Sequence, residues 1–257
     1  SVAYAVVHLI GGVLLASARL LGSAGPFGIA AVAASGAGLN GVGCLIGAAI
    51  GYIISSGLAG SIRYLAAIVL VYTISFAFQD TKLAKKSIFA PSAAAIAALS
   101  TGILSSFTSV FTQAPAAAVV LVETVFSFGG CWFFREALSD AERTTEAEEL
   151  RYAGSVLITA AVLLMAVSQI EIFGAISLGR LLALLIVMTC TLRCGIMTGC
   201  TIGTAFGIAM DLTAGGMPFY TMAYAFAGLL SGMFNRHGRL LFLLAFIAAD
   251  AAAVACA

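Results

Sequence analysis

Long apolar blocks recur along the whole of this chain, and that recurrence limits what it can fold into. They occupy residues 2–21, 29–54, 62–78, 92–107, 116–134, 152–167, 178–191, 196–210, 219–234 and 240–255. A helix crosses a bilayer with about 20 predominantly apolar residues. An outer-membrane barrel would instead alternate apolar and polar positions over segments of about ten, and a secretory signal is a single short apolar stretch near the start. Composition agrees with lipid as the solvent. The chain is 62% hydrophobic and 9% charged, where a soluble domain carries about 25% charged residues. The expected fold is all-α: one transmembrane helical domain over residues 1–257, a polytopic bundle of about ten spanning helices. The net charge of +1 gives no case for nucleic acid.

Breakers and charges divide the blocks. A cluster at 22–28, Gly-Ser-Ala-Gly-Pro-Phe-Gly, separates the first two, and Pro26 suits a first helical turn. The block at 29–54 is too long for one ordinary span and short for two. Its glycines predict a broken or tightly packed pair with the break near residues 35–41. Lys82, Lys85 and Lys86 place the loop at 79–90 in the cytoplasm by the positive-inside rule. Residues 135–151 hold six acids and three arginines and read as a short polar connector, also cytoplasmic. Two spans then separate each later charged loop from the next, with Arg193 at one turn and Arg236 and Arg239 at another.

Charges inside spans are costly and ask for a reason. Glu123 lies in the block at 116–134. Its bland role is a hydrogen bond to a serine or an ion pair with an arginine such as Arg63 or Arg19; its functional role would be a proton or cation site in transport. Asp211 precedes a Thr-x-Gly-Gly-x-Pro turn through Gly216 and Pro218, where a carboxylate can accept from turn N–H groups. Gly228 and Gly232 stand four apart with Ala225 one turn earlier, a small-residue stripe for a close helix seam. The six cysteines read as helix-packing residues. Cys190 and Cys194 share a helix face, but no histidine is near them in sequence, so no metal or haem site is expected. His237 reads as a loop residue, and Asp250 as facing a helix seam. The tetrapeptide Phe-Gly-Ile-Ala occurs at 27–30 and again at 206–209, a weak echo of the kind inverted repeats leave.

No phosphate-binding loop, Cys-x-x-Cys, His-Glu-x-x-His or Gly-x-Ser-x-Gly motif is present. With no nucleophile–base set in view, the chain is not expected to be an enzyme.

Two stretches carry a resemblance. One is Pro26 to Ala30, after a first block bearing Arg19. The other runs from Gly203 to Leu212, continues through Gly216 to Met222 and Ala225 to Phe234, and closes at Gly238 and Arg239. Together they resemble the N-terminal membrane region of the stage II sporulation protein E family, membrane-bound serine/threonine phosphatases of endospore-forming bacteria. In that family a C-terminal metal-dependent phosphatase domain frees an anti-anti-sigma factor and so promotes forespore sigma-factor activation. The family gathers at the polar division septum with the division machinery.

The resemblance implies a cell-membrane, multi-pass location with lipid as first partner, self-association, and division-septum proteins as further partners. The chain departs from the family pattern by ending at Ala257 inside an apolar block. Manganese or magnesium would belong to a phosphatase domain that these residues do not include; Asp80, Asp211 and Asp250 are no substitute for its ligands. What carries over is anchoring and positioning, with sensing, at Pro26, Phe27, Gly28, Asp211, Gly216, Pro218, Gly228 and Gly232. The alternative is a small-solute or ion secondary transporter built on Glu123 and the broken helices.

Overall fold

The computed structural model describes residues 2–108, 117–139, 144–172, 176–214, 218–235 and 239–256. Ten helices occur among the described residues: α1 (Val2–Ser17), α2 (Pro26–Ser35), α3 (Leu39–Phe78), α4 (Phe89–Thr108), α5 (Ala117–Ala137), α6 (Glu146–Val167), α7 (Leu178–Cys194), α8 (Ile196–Ala214), α9 (Phe219–Met233) and α10 (Arg239–Cys256). A two-residue antiparallel ladder, β1 (Glu171–Ile172) with β2 (Ile176–Ser177), joins α6 to α7. Among the described residues, five helices are long and apolar enough to cross a membrane: α3, α4 over Phe89–Phe107, α5, α6 and α8. The fold is thus helical and of membrane type. Its contacts group into two compact units, residues 1–159 and 160–257.

In the first unit the break in the block at 29–54 falls at Gly36, between α2 and α3. The next break differs in kind from expectation. No loop separates the block at 29–54 from that at 62–78; α3 runs through both and bends at Gly57, whose φ of 68° and ψ of 171° are non-helical. That backbone region is essentially restricted to glycine, so an apolar run stays helical on each side of one residue. The segments 39–56 and 58–78 therefore act as separate rods. α2 has 10 residues, about 15 Å at the usual rise, roughly half a bilayer's hydrocarbon core. Residues Pro26 through Ala33 are all buried, against α1, α3, α4 and α5. A half-length helix without a lipid face is tolerated because protein satisfies its ends.

Glycine sets the spacing of α1 on α3. A Cβ on Gly43 would lie 2.6 Å from the carbonyl oxygen of Ala5. Gly47 and Gly51 continue the same stripe, against Leu9 and Val13. At the far end of this unit Arg135 on α5 donates to the Ser87 carbonyl at 3.0 Å, tying down the lysine loop.

The second unit is built on helical hairpins. α7 and α8 meet at Gly195, whose φ of 89° turns the chain between them. α8 and α9 pack through glycines from both sides, Gly203 and Gly207 on one helix and Gly228 and Gly232 on the other, while a Cβ on Gly199 would meet Thr191 of α7. A Cβ on Gly228 would lie 2.6 Å from the Gly199 carbonyl oxygen. Backbones this close gain dispersion contacts that larger side chains would prevent. The two Phe-Gly-Ile-Ala copies are not structurally equivalent: one opens α2 and the other lies in the middle of α8.

Candidate functional site: a buried arginine–tyrosine–glutamate cluster

Five helix ends of the first unit converge on one polar cluster. α1 ends at Ser17, α2 begins at Pro26, α3 breaks at Gly57, and Glu123 lies in the second turn of α5. Glu123 is 2% exposed. Nη2 of Arg63 donates to both of its oxygens, at 2.5 and 2.6 Å. The Tyr64 hydroxyl lies 2.6 Å from Oε1, and the Gly25 N–H donates to the same oxygen at 3.3 Å. The α2 N-terminus adds the positive end of its dipole. A carboxylate buried among apolar helices is tolerable only with donors of this kind.

Two tyrosines form the wall. Tyr52 and Tyr64 stack with ring centroids 4.7 Å apart. The Tyr52 hydroxyl donates to the Gly25 carbonyl at 2.5 Å and accepts from the Ile29 N–H at 3.1 Å. It so bridges the first backbone pair of α2, which has no side-chain cap of its own. A Cβ on Gly28 would lie 2.6 Å from the Tyr52 hydroxyl, so only glycine admits that ring. Phe27 packs edge-on against Phe126 at 6.1 Å, and the Pro26 carbonyl accepts from Ser127 at 3.3 Å. Pro26, Phe27 and Gly28 thus seat α2 between α3 and α5.

Arg19 completes the cluster. It is 7% exposed and has no carboxylate within ion-pair distance among the described residues. Its Nη2 donates to Ser55 at 2.7 Å and to Ser56, and its Nη1 reaches the Ser23 carbonyl at 3.4 Å. Its guanidinium lies over Tyr52 and Tyr64, 5.7 and 5.2 Å from the ring centroids. Such contacts attract a cation to the negative ring face. The C-terminal ends of α1 and of segment 39–56 lie beside it and take up part of its charge.

No protein-family model, curated protein or solved structure matches this chain.

The other sequence-derived candidates lie in the second unit. Asp211 closes the α8–α9 corner by accepting from the N–H groups of Tyr220 and Thr221, both at 2.8 Å, and from the Thr221 hydroxyl at 2.5 Å. It fills the role an N-cap residue would, from the preceding helix, since the actual N-cap is Pro218. Gly228 and Gly232 lie in the α8–α9 seam. Gly216 and His237 fall outside the described residues. Arg180 on α7 sits over the Tyr220 ring at 4.7 Å, and its buried Nε has no hydrogen-bond partner. Cys44 and Cys131 are buried, Cys194 is exposed, and no group of three metal-ligating side chains forms among the described residues.

The sequence singles out Glu123 and offers Arg63 or Arg19 as its ion-pair partner; Arg63 takes that place and Arg19 does not. Sequence reasoning misses Tyr52, Tyr64 and the Ser55-Ser56-Gly57 break. The available signal was that tripeptide itself, two hydroxyls and a glycine interrupting an apolar run.

Proposed function

We propose that the chain is a multi-pass anchoring and positioning region of the cell membrane, of the kind that precedes the phosphatase domain in the stage II sporulation protein E family. In this reading about ten helices span or enter the bilayer, with 79–90 and 135–151 on the cytoplasmic side. The region positions a signalling protein at the polar division septum through self-association and septal partners. No catalytic step is assigned to its own residues.

One observation carries the preference for anchoring over transport: both oxygens of Glu123 are engaged by Arg63, with Tyr64 and Gly25 on Oε1. A transport site would leave that carboxylate facing a path for its substrate. Here it acts as a pin joining α2, α3 and α5. The broken helices at Gly36 and Gly57 favour the transporter alternative, and the experiment separates the two. A fluorescent fusion of residues 1–257 in sporulating cells of an endospore former is expected to enrich at the polar septum. Even distribution over the membrane would count against septal positioning. Solute uptake by vesicles containing the purified protein, abolished in Glu123→Gln, would replace anchoring with transport.

A further inference from the structure

The cluster contains two guanidiniums and one carboxylate. Glu123 is committed to Arg63, and among the described residues Arg19 meets neutral partners, namely Ser55, Ser56, the Ser23 carbonyl and the Tyr52 and Tyr64 rings. Helix C-termini soften this excess but carry only partial charge. A net positive charge beneath a membrane-type surface is costly unless an anion answers it.

The cluster is not sealed on all sides. Ser23 and Ser55 are exposed and Ser56 is half-buried, so hydroxyl and backbone groups form a rim above Arg19. The side chain of Arg63 is 17% exposed, and only its Nη2 is engaged by Glu123 and Tyr64. Around the rim the surface is apolar. Ile54 before the kink and Leu58 and Ile62 after it are strongly exposed, with Leu21 on the opposing turn. Polar donors under a mouth bordered by such side chains match a molecule with a singly charged head and hydrocarbon tails.

We infer that Arg19, Arg63 and Ser56 form a site for the phosphodiester of a membrane phospholipid. A phosphodiester is a monoanion, equal and opposite to the excess charge. Its oxygens accept from the guanidiniums and the Ser56 hydroxyl together; the Ser55 hydroxyl donates to the Gly51 carbonyl at 2.8 Å and serves the site by accepting from Arg19. The acyl chains lie over Ile54, Leu58 and Ile62. A free phosphate ion would use the same donors but gain nothing from that apolar border. The site stands on the cluster alone and does not depend on the anchoring reading; within that reading it gives the region a means to respond to lipid composition.

Detergent-purified protein is titrated with dioleoylphosphatidylglycerol and bound lipid is counted by native mass spectrometry. The background carries Lys82→Gln, Lys85→Gln and Lys86→Gln, so that the basic loop does not contribute. One tightly held lipid is expected. Ser56→Ala, which removes one donor without opening the core, weakens it about tenfold, the effect of losing a charge-assisted hydrogen bond. Arg19→Gln weakens it further. Dioleoylglycerol, which has the tails without the phosphate, and inorganic phosphate, which has the anion without the tails, do not compete at equal concentration. Unchanged affinity in Ser56→Ala would overturn the site. Competition by dioleoylglycerol would reduce it to an apolar surface, and competition by inorganic phosphate would overturn the lipid assignment.

Discussion

At the scale of single residues, Glu123 and Arg63 make opposite demands on stability. Each is costly to bury alone, and together they satisfy one another through two short hydrogen bonds. Removing one partner strands the other. Glu123→Ala is therefore expected to cost roughly 3–5 kcal/mol, read as loss of thermal stability in detergent. Glu123→Leu combined with Arg63→Leu should cost much less than either single change, because an apolar pair needs no partner. A double variant no more stable than the singles would mean that the pair is held by more than mutual neutralisation. The pairing was legible in the sequence because so few charges occur inside the apolar blocks that the candidates for partnership were few. The tyrosines were not legible. Tyr52 bonds the backbone of Gly25 and Ile29, across 27 and 23 residues of chain, and nothing local distinguishes it from a lipid-facing tyrosine. Arg19 was visible as a charge, but its serine partners depend on where α3 bends.

Among the helices, glycine has two separate uses that the sequence does not tell apart. At Gly57 it supplies a backbone conformation that bends α3. In the stripes at 43, 47 and 51 and at 199, 203 and 207 it supplies absence of bulk between helices. The stripe at 228 and 232 was legible from its four-residue spacing, which puts both glycines on one face. The kink was not, because Gly57 sits among many glycines and its apolar neighbours continue the helix on both sides. The seam predicts a contrast. Gly228→Leu places a side chain where the Gly199 carbonyl stands 2.6 Å from a Cβ, so α8 and α9 must separate; the variant should fail to accumulate as folded protein. Gly154 on α6 has nothing within 4 Å of a Cβ. Gly154→Ala should accumulate normally and gain up to about 1 kcal/mol of helix propensity. Equal accumulation of both variants would remove the seam from the account.

For the molecule as a whole, the first unit has two chemically distinct ends. One holds the exposed loop of Lys82, Lys85 and Lys86, anchored by Arg135. The other holds the Arg19 cluster beneath the exposed turn at Ser23. Segment 58–78, the second part of α3, and α4 connect these ends, and both α3 and α4 are apolar enough to cross a bilayer. If the lysine loop is cytoplasmic, the arginine cluster faces the opposite side, although it too contains basic residues. The positive-inside rule does not conflict with this, because it concerns charges free in loops, whereas Arg19 is buried and Arg63 is paired with Glu123. Single cysteines at positions 23 and 85, in a background with the native cysteines replaced, test the orientation directly. An impermeant maleimide added to intact cells should label Ser23→Cys and leave Lys85→Cys unlabelled until the membrane is opened. The reverse pattern would invert the topology and turn the proposed phospholipid site toward the cytoplasmic leaflet. Labelling of both positions in intact cells would mean that segment 58–78 does not span the bilayer, so that neither end could be assigned by the lysine loop.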